Sequence, residues 1–251
     1  MSQLAGRVAI VTGGVQGIGL GVSMCLARAG ANVMLAELVE HNIPSAIAEI
    51  ERVGVKAYGV QTNVADSDSV DLMVQTTLER FGQIDILVNN AGLVNAKHIS
   101  QQTETDYDAV LDVNLKGTFL CCTRVMNEMG KRKKGAIVNI ASMAAFRYTI
   151  PHVPYAASKA GIVALTRDLA VEVGRMGIRV NAIAPGSIES PGNSLSQIAT
   201  GESDEERSER IKAIPLGRIG QPTDIGNAVV FLASDAAGYI SGATLPVTGG
   251  K

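Results

Sequence analysis

The run Val8-Ala9-Ile10-Val11 leads directly into Thr12-Gly13-Gly14-Val15-Gln16-Gly17-Ile18-Gly19, and a stripe of Val22, Leu26 and Ala29 follows before Gly30. An apolar β-rich run, a glycine turn and a helical period, in that order, predict strand, tight turn and helix. Glycines at 13, 17 and 19 let the backbone approach a pyrophosphate, and the free N–H groups and positive dipole end of the helix suit an anion there. Gln16 and Ile18 lie in the same turn. The spacing is T-G-x-x-x-G-x-G, a variant of the G-x-G-x-x-G dinucleotide fingerprint. An isolated glycine turn would say little; its strand–turn–helix setting is the context the motif requires.

Strand and helix patterns alternate along the remainder. Strands are predicted near 7–12, 32–36, 55–60, 85–88, 136–141, 178–184 and 243–247, and helices near 17–29, 43–53, 67–81, 104–129, 155–174 and 222–234. Repeated βα units imply a doubly wound parallel sheet with helices on both faces, an α/β Rossmann-like architecture in a single domain over 1–251. Such sheets bind ligands at the carboxyl ends of their strands. Thr12, Glu37, Asn89, Ser142 and Pro185 all fall at or just after predicted strand ends. Glu37 closes the second strand, 18 positions after Gly19, where a carboxylate accepts from the ribose hydroxyls of NAD and repels the 2′-phosphate of NADP. Leu38 follows it, so no neighbouring cation offers to hold that phosphate.

Tyr155 and Lys159 stand four apart in Pro154-Tyr155-Ala156-Ala157-Ser158-Lys159, with Ser142 thirteen residues upstream. On a helix, i and i+4 share a face, so phenol and ammonium point into one space. A phenol ionises near pH ~10. A neighbouring cation would favour the phenolate and lower that value, and Ser142 would supply a hydroxyl for a substrate oxygen. Tyr and Lys are common helix neighbours, so the pair gains weight only from the rest of the chain.

Thr12-Gly13-x-x-x-Gly17-x-Gly19, Asn89-Asn90-Ala91-Gly92, Asn114, Ser142, Tyr155-x-x-x-Lys159 and Pro185-Gly186 together resemble, in order and spacing, the shorter single-domain form of the short-chain dehydrogenase/reductase family. The resemblance spans essentially the whole chain. It implies hydride transfer between a nicotinamide and an alcohol/carbonyl pair, with Asn114, Ser142, Tyr155 and Lys159 as the catalytic set. Tyr155 would be the acid/base. Lys159 would lower its pKa and hold the nicotinamide ribose, and Asn114 would hold a water that passes the proton to solvent. The resemblance adds Asn63, Val64, Asn90, Ala91, Gly92, Pro185, Gly186, Ile188 and Ser190 to the cofactor residues, with the Ile188 backbone meeting the carboxamide. Departures are Glu37 for a more frequent Asp, Asn63 for Asp beside the adenine, Ser190 for Thr, and Thr248 where an Asp often precedes the final glycine pair. Family habit suggests a homotetramer, with helices 104–129 and 155–174 packing across subunits.

Composition bounds the alternatives. Of 251 residues, 46% are hydrophobic, which suits one sizeable core, and no apolar run approaches the roughly 18 residues of a membrane span. A net charge of −2 gives no sign of nucleic-acid or anionic-membrane partners. Three cysteines without framework spacing, and an N-terminus without a signal-peptide pattern, fit a cytoplasmic protein with reduced thiols. No metal-ligand cluster is evident. The polar, turn-rich region 191–214 reads as a substrate lid, its acidic run a solvated helix face. Ala144, Tyr148, His152, Ser187 and Asn193 are candidate pocket residues, with His152 equally readable as a surface histidine. Arg147 alone suggests an anionic group. These readings lead to an NAD-dependent dehydrogenase of a small secondary alcohol, polyol or sugar. An NADPH-dependent carbonyl or 3-oxoacyl-thioester reductase is the alternative, and a non-catalytic dinucleotide-sensing protein is the alternative of another class.

Overall fold

A computed structural model describes residues 3–148, 152–189 and 202–251. Seven strands form one sheet in the order β3-β2-β1-β4-β5-β6-β7, and every neighbouring pair is parallel. They are β1 (Val8–Thr12), β2 (Asn32–Glu37), β3 (Ala57–Gln61), β4 (Ile86–Asn89), β5 (Gly135–Ile140), β6 (Ile178–Pro185) and β7 (Thr244–Val247). The strand order reverses between β1 and β4, and that is where a crevice opens at the carboxyl edge of such a sheet.

Helices cover both faces, so the central strands read as unbroken apolar runs rather than alternating ones. The two-residue period still sorts their side chains. Ala9, Val11, Val33, Leu35, Ile86 and Val88 join one core with Val22 and Leu26 of α1 (Gly17–Arg28) and Ile225, Val229 and Leu232 of α8 (Pro222–Ala233). Ile10, Met34, Leu87 and Ile137 join the other, with Val70 and Met73 of α3 (Ser67–Phe81) and Val125 and Met129 of α5 (Gly117–Arg132). α2 (Ile43–Glu51) packs on the first face through Ile43, Ala46 and Ile50.

The helix expected over 104–129 is interrupted. α4 (Glu104–Leu111) gives way to a five-residue π-helical segment, Asp112–Lys116, before α5 begins. The backbone stays helical through Leu111 and Gly117, so the axis continues while the hydrogen-bond ladder widens by one residue. Packing on both sides accounts for it. A Cβ on Gly117 would stand 2.8 Å from Val64 Cγ2, and Asn114 is drawn into the interior. After α5, Lys133 takes a left-handed conformation (φ 50°) and caps the helix.

α6 (Val153–Val173) starts with Pro154 in its first turn, a position where the missing N–H does no harm. Within 191–214, residues 191–201 lie outside the described residues, as does Ser190. The remainder contains α7 (Asp204–Lys212), entered through a reciprocal Ser203–Glu206 capping box, with its acidic residues in solvent as expected. Among the described residues no helix is long and apolar enough to cross a membrane.

Candidate active site

The glycine turn closes tightly on itself. Gly13 and Gly17 have φ of 62° and 52°, the left-handed region that favours glycine. Gly19 has no room for a side chain, because a Cβ there would run into the Gly13 carbonyl and Asn90 Nδ2. The turn is held to the end of β4. Thr12 Oγ1 accepts from the Asn90 and Ala91 N–H groups, both at 3.0 Å, and Asn90 Nδ2 donates to the Thr12 and Gly13 carbonyls at 3.0 and 2.9 Å. α1 begins with extended Gln16, without a side-chain cap and without an acidic residue in its first turn. Its N-terminus therefore keeps its positive character, and Gln16 is exposed beside it while Ile18 is half-buried.

Glu37 is 9% exposed. Burial pushes its carboxyl above the usual range, and the N–H groups of Leu38, Val39 and Val15 pull the other way. One oxygen accepts from Leu38 N at 2.9 Å, whereas Oε2 is buried without a partner. An orphaned buried carboxylate oxygen is costly unless a ligand donor meets it. The residues thus fit an NAD-type dinucleotide: the turn and α1 would hold the pyrophosphate, and Glu37 the ribose hydroxyls. Val64 is buried against Gly117, while Asn63 is exposed and accepts from Ala65 N at 3.1 Å.

The β6 edge completes the rim. Pro185 ends the strand, and Gly186 N donates to Val247 O at 2.9 Å. A Cβ on Gly186 would stand 3.0 Å from Thr248 Cα, so Thr248 packs backbone to backbone there. Ile188 bridges in parallel to Gly220, whose N–H donates to Ser187 O at 3.0 Å. Ser190 and Asn193 lie outside the described residues.

Ser142, Tyr155 and Lys159 come together as the spacing implies. Ser142 caps the short turn Met143–Ala145, accepting from Ala144 N at 3.1 Å, and its hydroxyl is hydrogen-bonded to the Tyr155 phenol. Lys159 Nζ lies 5.6 Å from the Tyr155 ring centroid and donates to Ile140 O at 2.7 Å. The electrostatics correct the expected direction of the tyrosine shift. Burial pushes the phenol upward and the Ser142 hydroxyl only partly offsets it. Burial also lowers Lys159, to about 8, so the ammonium is itself poised to lose its proton rather than being a permanent charge.

Asn114 is fully buried in the π segment, and its side chain makes three hydrogen bonds. Oδ1 accepts from Leu93 N at 2.7 Å, and Nδ2 donates to Leu93 O and Ser158 Oγ, both at 2.9 Å. Both N–H groups and one lone pair of the amide oxygen thus have protein partners, which leaves the second Oδ1 lone pair to accept. A Cβ on Gly92 would stand 3.4 Å from Asn114 Oδ1 and 3.7 Å from Lys159 Nζ, so loop 90–93 lies against both.

On the substrate side, His152 is 4% exposed, which removes the surface alternative, and its ring lies 4.9 Å from that of Tyr155. Ala144 is buried, Ser187 is half-buried, Arg147 is exposed and Tyr148 is 83% exposed. Sequence reasoning passed over Thr12 as a ligand-loop anchor and Ser158 altogether. A hydroxyl directly before the glycine turn was a readable signal for Thr12. Ser158 meets the Asn114 amide from a different helix, 44 positions along the chain, which no sequence spacing reveals.

A family model described as enoyl-(acyl carrier protein) reductase matches residues 13–251. The 3-oxoacyl-[acyl-carrier-protein] reductase FabG of Staphylococcus aureus is 39% identical over 245 residues, 97% of each chain. The (2S)-[(R)-hydroxy(phenyl)methyl]succinyl-CoA dehydrogenase subunit BbsD of Thauera aromatica is 38% identical, covering 98% of this chain and 96% of the relative. Among solved structures, 7α-hydroxysteroid dehydrogenase complexed with NADH and 7-oxo glycochenodeoxycholic acid superposes with a TM-score of 0.93 at 33% identity, covering 99% of this chain and 95% of that one. The chain belongs to the short-chain dehydrogenase/reductase family and is an oxidoreductase.

Proposed function

We propose that the protein uses NAD(H) to interconvert a 3-oxoacyl thioester and its hydroxyacyl counterpart. The observation that carries the chemistry is the Ser142–Tyr155 hydrogen bond beside the Lys159 ammonium. The bound nicotinamide supplies the hydride to the carbonyl carbon, or takes it back in oxidation. In reduction, the protonated Tyr155 phenol gives its proton to the carbonyl oxygen, and the raised phenol pKa keeps that proton in place at neutral pH. Ser142 holds the same oxygen and fixes its distance from the cofactor. The Lys159 ammonium, 5.6 Å from the ring centroid, would stabilise the phenolate left behind until a solvent proton restores the phenol.

The relatives shift the substrate from the small alcohol, polyol or sugar expected from sequence. Two of them are named for acyl groups on acyl carrier protein or coenzyme A. The preference for NAD over NADP rests on the buried, half-partnered Glu37 carboxylate, which a 2′-phosphate would confront. A cytoplasmic homotetramer completes the reading, and a monomeric mass in light scattering would overturn the assembly.

The test is an absorbance assay with NADH or NADPH against acetoacetyl-coenzyme A and a panel of ketones, polyols and sugars. Turnover is expected on the thioester, with NADH at least about ten times more efficient, the scale of one misplaced charge. Glu37→Ala should weaken NADH binding and erase that preference. Turnover confined to polyols would sink the substrate class, and an unchanged preference in Glu37→Ala would sink the cofactor assignment. Tight NADH binding with no turnover on any substrate would favour the sensing protein.

A further inference from the structure

Ser158 is 0% exposed, although it sits between the two residues proposed for acid/base work. Its hydroxyl donates to Tyr155 O at 2.7 Å and accepts from Asn114 Nδ2 at 2.9 Å. A hydroxyl has one proton, and that proton is directed at a carbonyl, which has none to offer in return. Only lone pairs therefore face the Asn114 amide, and that forces the NH2 end toward Ser158. The same orientation places the second amide proton on Leu93 O and the amide oxygen against Leu93 N–H, at 2.9 and 2.7 Å. Each of the four bonds has one donor and one acceptor, and turning the amide over would break all three of its bonds.

This chain of bonds joins three segments that the sheet otherwise holds only indirectly. Loop 90–93 is tied through Asn90 to the glycine turn; the π segment carries Asn114; α6 carries Tyr155 and Lys159. Resting on the functional reading above, we infer that Ser158 is a positioning residue: it fixes the Asn114 amide and so holds the cofactor loop in register with the acid/base helix. It touches neither the reacting atoms nor the cofactor. Its effect belongs in the geometry of hydride and proton transfer, where displacements of about 1 Å can change rate on the order of 100-fold.

The experiment compares wild type with Ser158→Ala, Ser158→Thr, Asn114→Ala and the Asn114→Ala/Ser158→Ala pair, with Tyr155→Phe as control. Turnover of acetoacetyl-coenzyme A, NADH binding by fluorescence and hydrogen exchange of the Leu93 amide are read for each. Ser158→Ala is expected to lower kcat at least about 10-fold, with NADH affinity within about threefold of wild type. Its Leu93 amide should exchange about 10-fold faster as the Asn114 oxygen loses its fixed place. Ser158→Thr, which keeps the hydroxyl, should restore both. The double variant should be no slower than Asn114→Ala alone, because both act through one network. Wild-type kcat and Leu93 exchange in Ser158→Ala would overturn the inference, as would losses that multiply in the double variant. Should Ser158→Ala prove too unstable to assay, Ser158→Thr with lowered kcat and fast Leu93 exchange would overturn it equally. Retained turnover in Tyr155→Phe would instead sink the functional reading itself.

Discussion

At the scale of single residues, the informative group is a phenol whose titration runs opposite to what its neighbour implies. The sequence placed a cation four residues from Tyr155, and a nearby cation lowers a phenol's pKa. In the folded chain Lys159 is buried and Tyr155 half-buried. Burial favours neutral phenol and neutral amine together, and one N–H of Lys159 Nζ donates to Ile140 O. The pH dependence follows directly. Reduction needs the protonated phenol, so its kcat should stay flat through neutral pH and fall only on the alkaline side. Oxidation needs the phenolate and should rise with pH over the same range. Paired pH profiles of the two directions check this; a reductive rate already falling between pH 6 and 7 would show a depressed phenol and refute the assignment. Tyr155→Phe should remove turnover in both directions while NADH still binds.

At the scale of elements, the glycine turn and the π segment solve related problems by different means. The turn gains its closeness by omitting side chains. Gly19→Ala would force a Cβ to within 1.9 Å of the Gly13 carbonyl, and backbone cannot yield as a side-chain tip can. NADH affinity should therefore fall well beyond the roughly 1 kcal/mol that glycine and alanine differ in helix propensity. A titration showing wild-type affinity in Gly19→Ala would mean that the turn relaxes freely. The π segment gains its reach by widening the ladder, which turns Asn114 inward toward Leu93 and Ser158. The glycine turn was legible because Gly13, Gly17 and Gly19 are chemically distinctive. The π segment was not: an added residue in a helical ladder leaves the apolar pattern of 104–129 reading as one continuous helix.

At the scale of the whole molecule, seven parallel strands place Thr12, Glu37, Asn89, Ser142 and Pro185 along one edge, as their positions at strand ends foretold. That same burial leaves a stability signature. Lys159 titrates at about 8 in the folded chain and near 10.5 when exposed, so between these values the unfolded chain holds a proton that the folded chain has released. Stability at this site therefore rises with pH from about 8 to 10.5 and is flat below. Lys159→Met removes the slope. Its melting temperature relative to wild type should decline steadily from pH 8 to 10, whatever the offset at neutral pH. A parallel pair of melting curves across that range would show that Lys159 is not desolvated.

The sequence by itself determined the alternation of strands and helices, the glycine turn, the parallel sheet that such alternation demands, and the identity of the groups gathered at its edge. Those properties are local: period, turn chemistry and spacing are written in neighbouring residues. Packing alone set which way Tyr155 and Lys159 titrate, that His152 is enclosed against the phenol, that the Asn114 amide is tied to Leu93 and Ser158, and that Ser158 completes its network. Each of these depends on desolvation and hydrogen-bond partners contributed by segments tens of residues apart, from Leu93 to Ser158 across 65 positions, and burial of that kind exists only once the elements have packed.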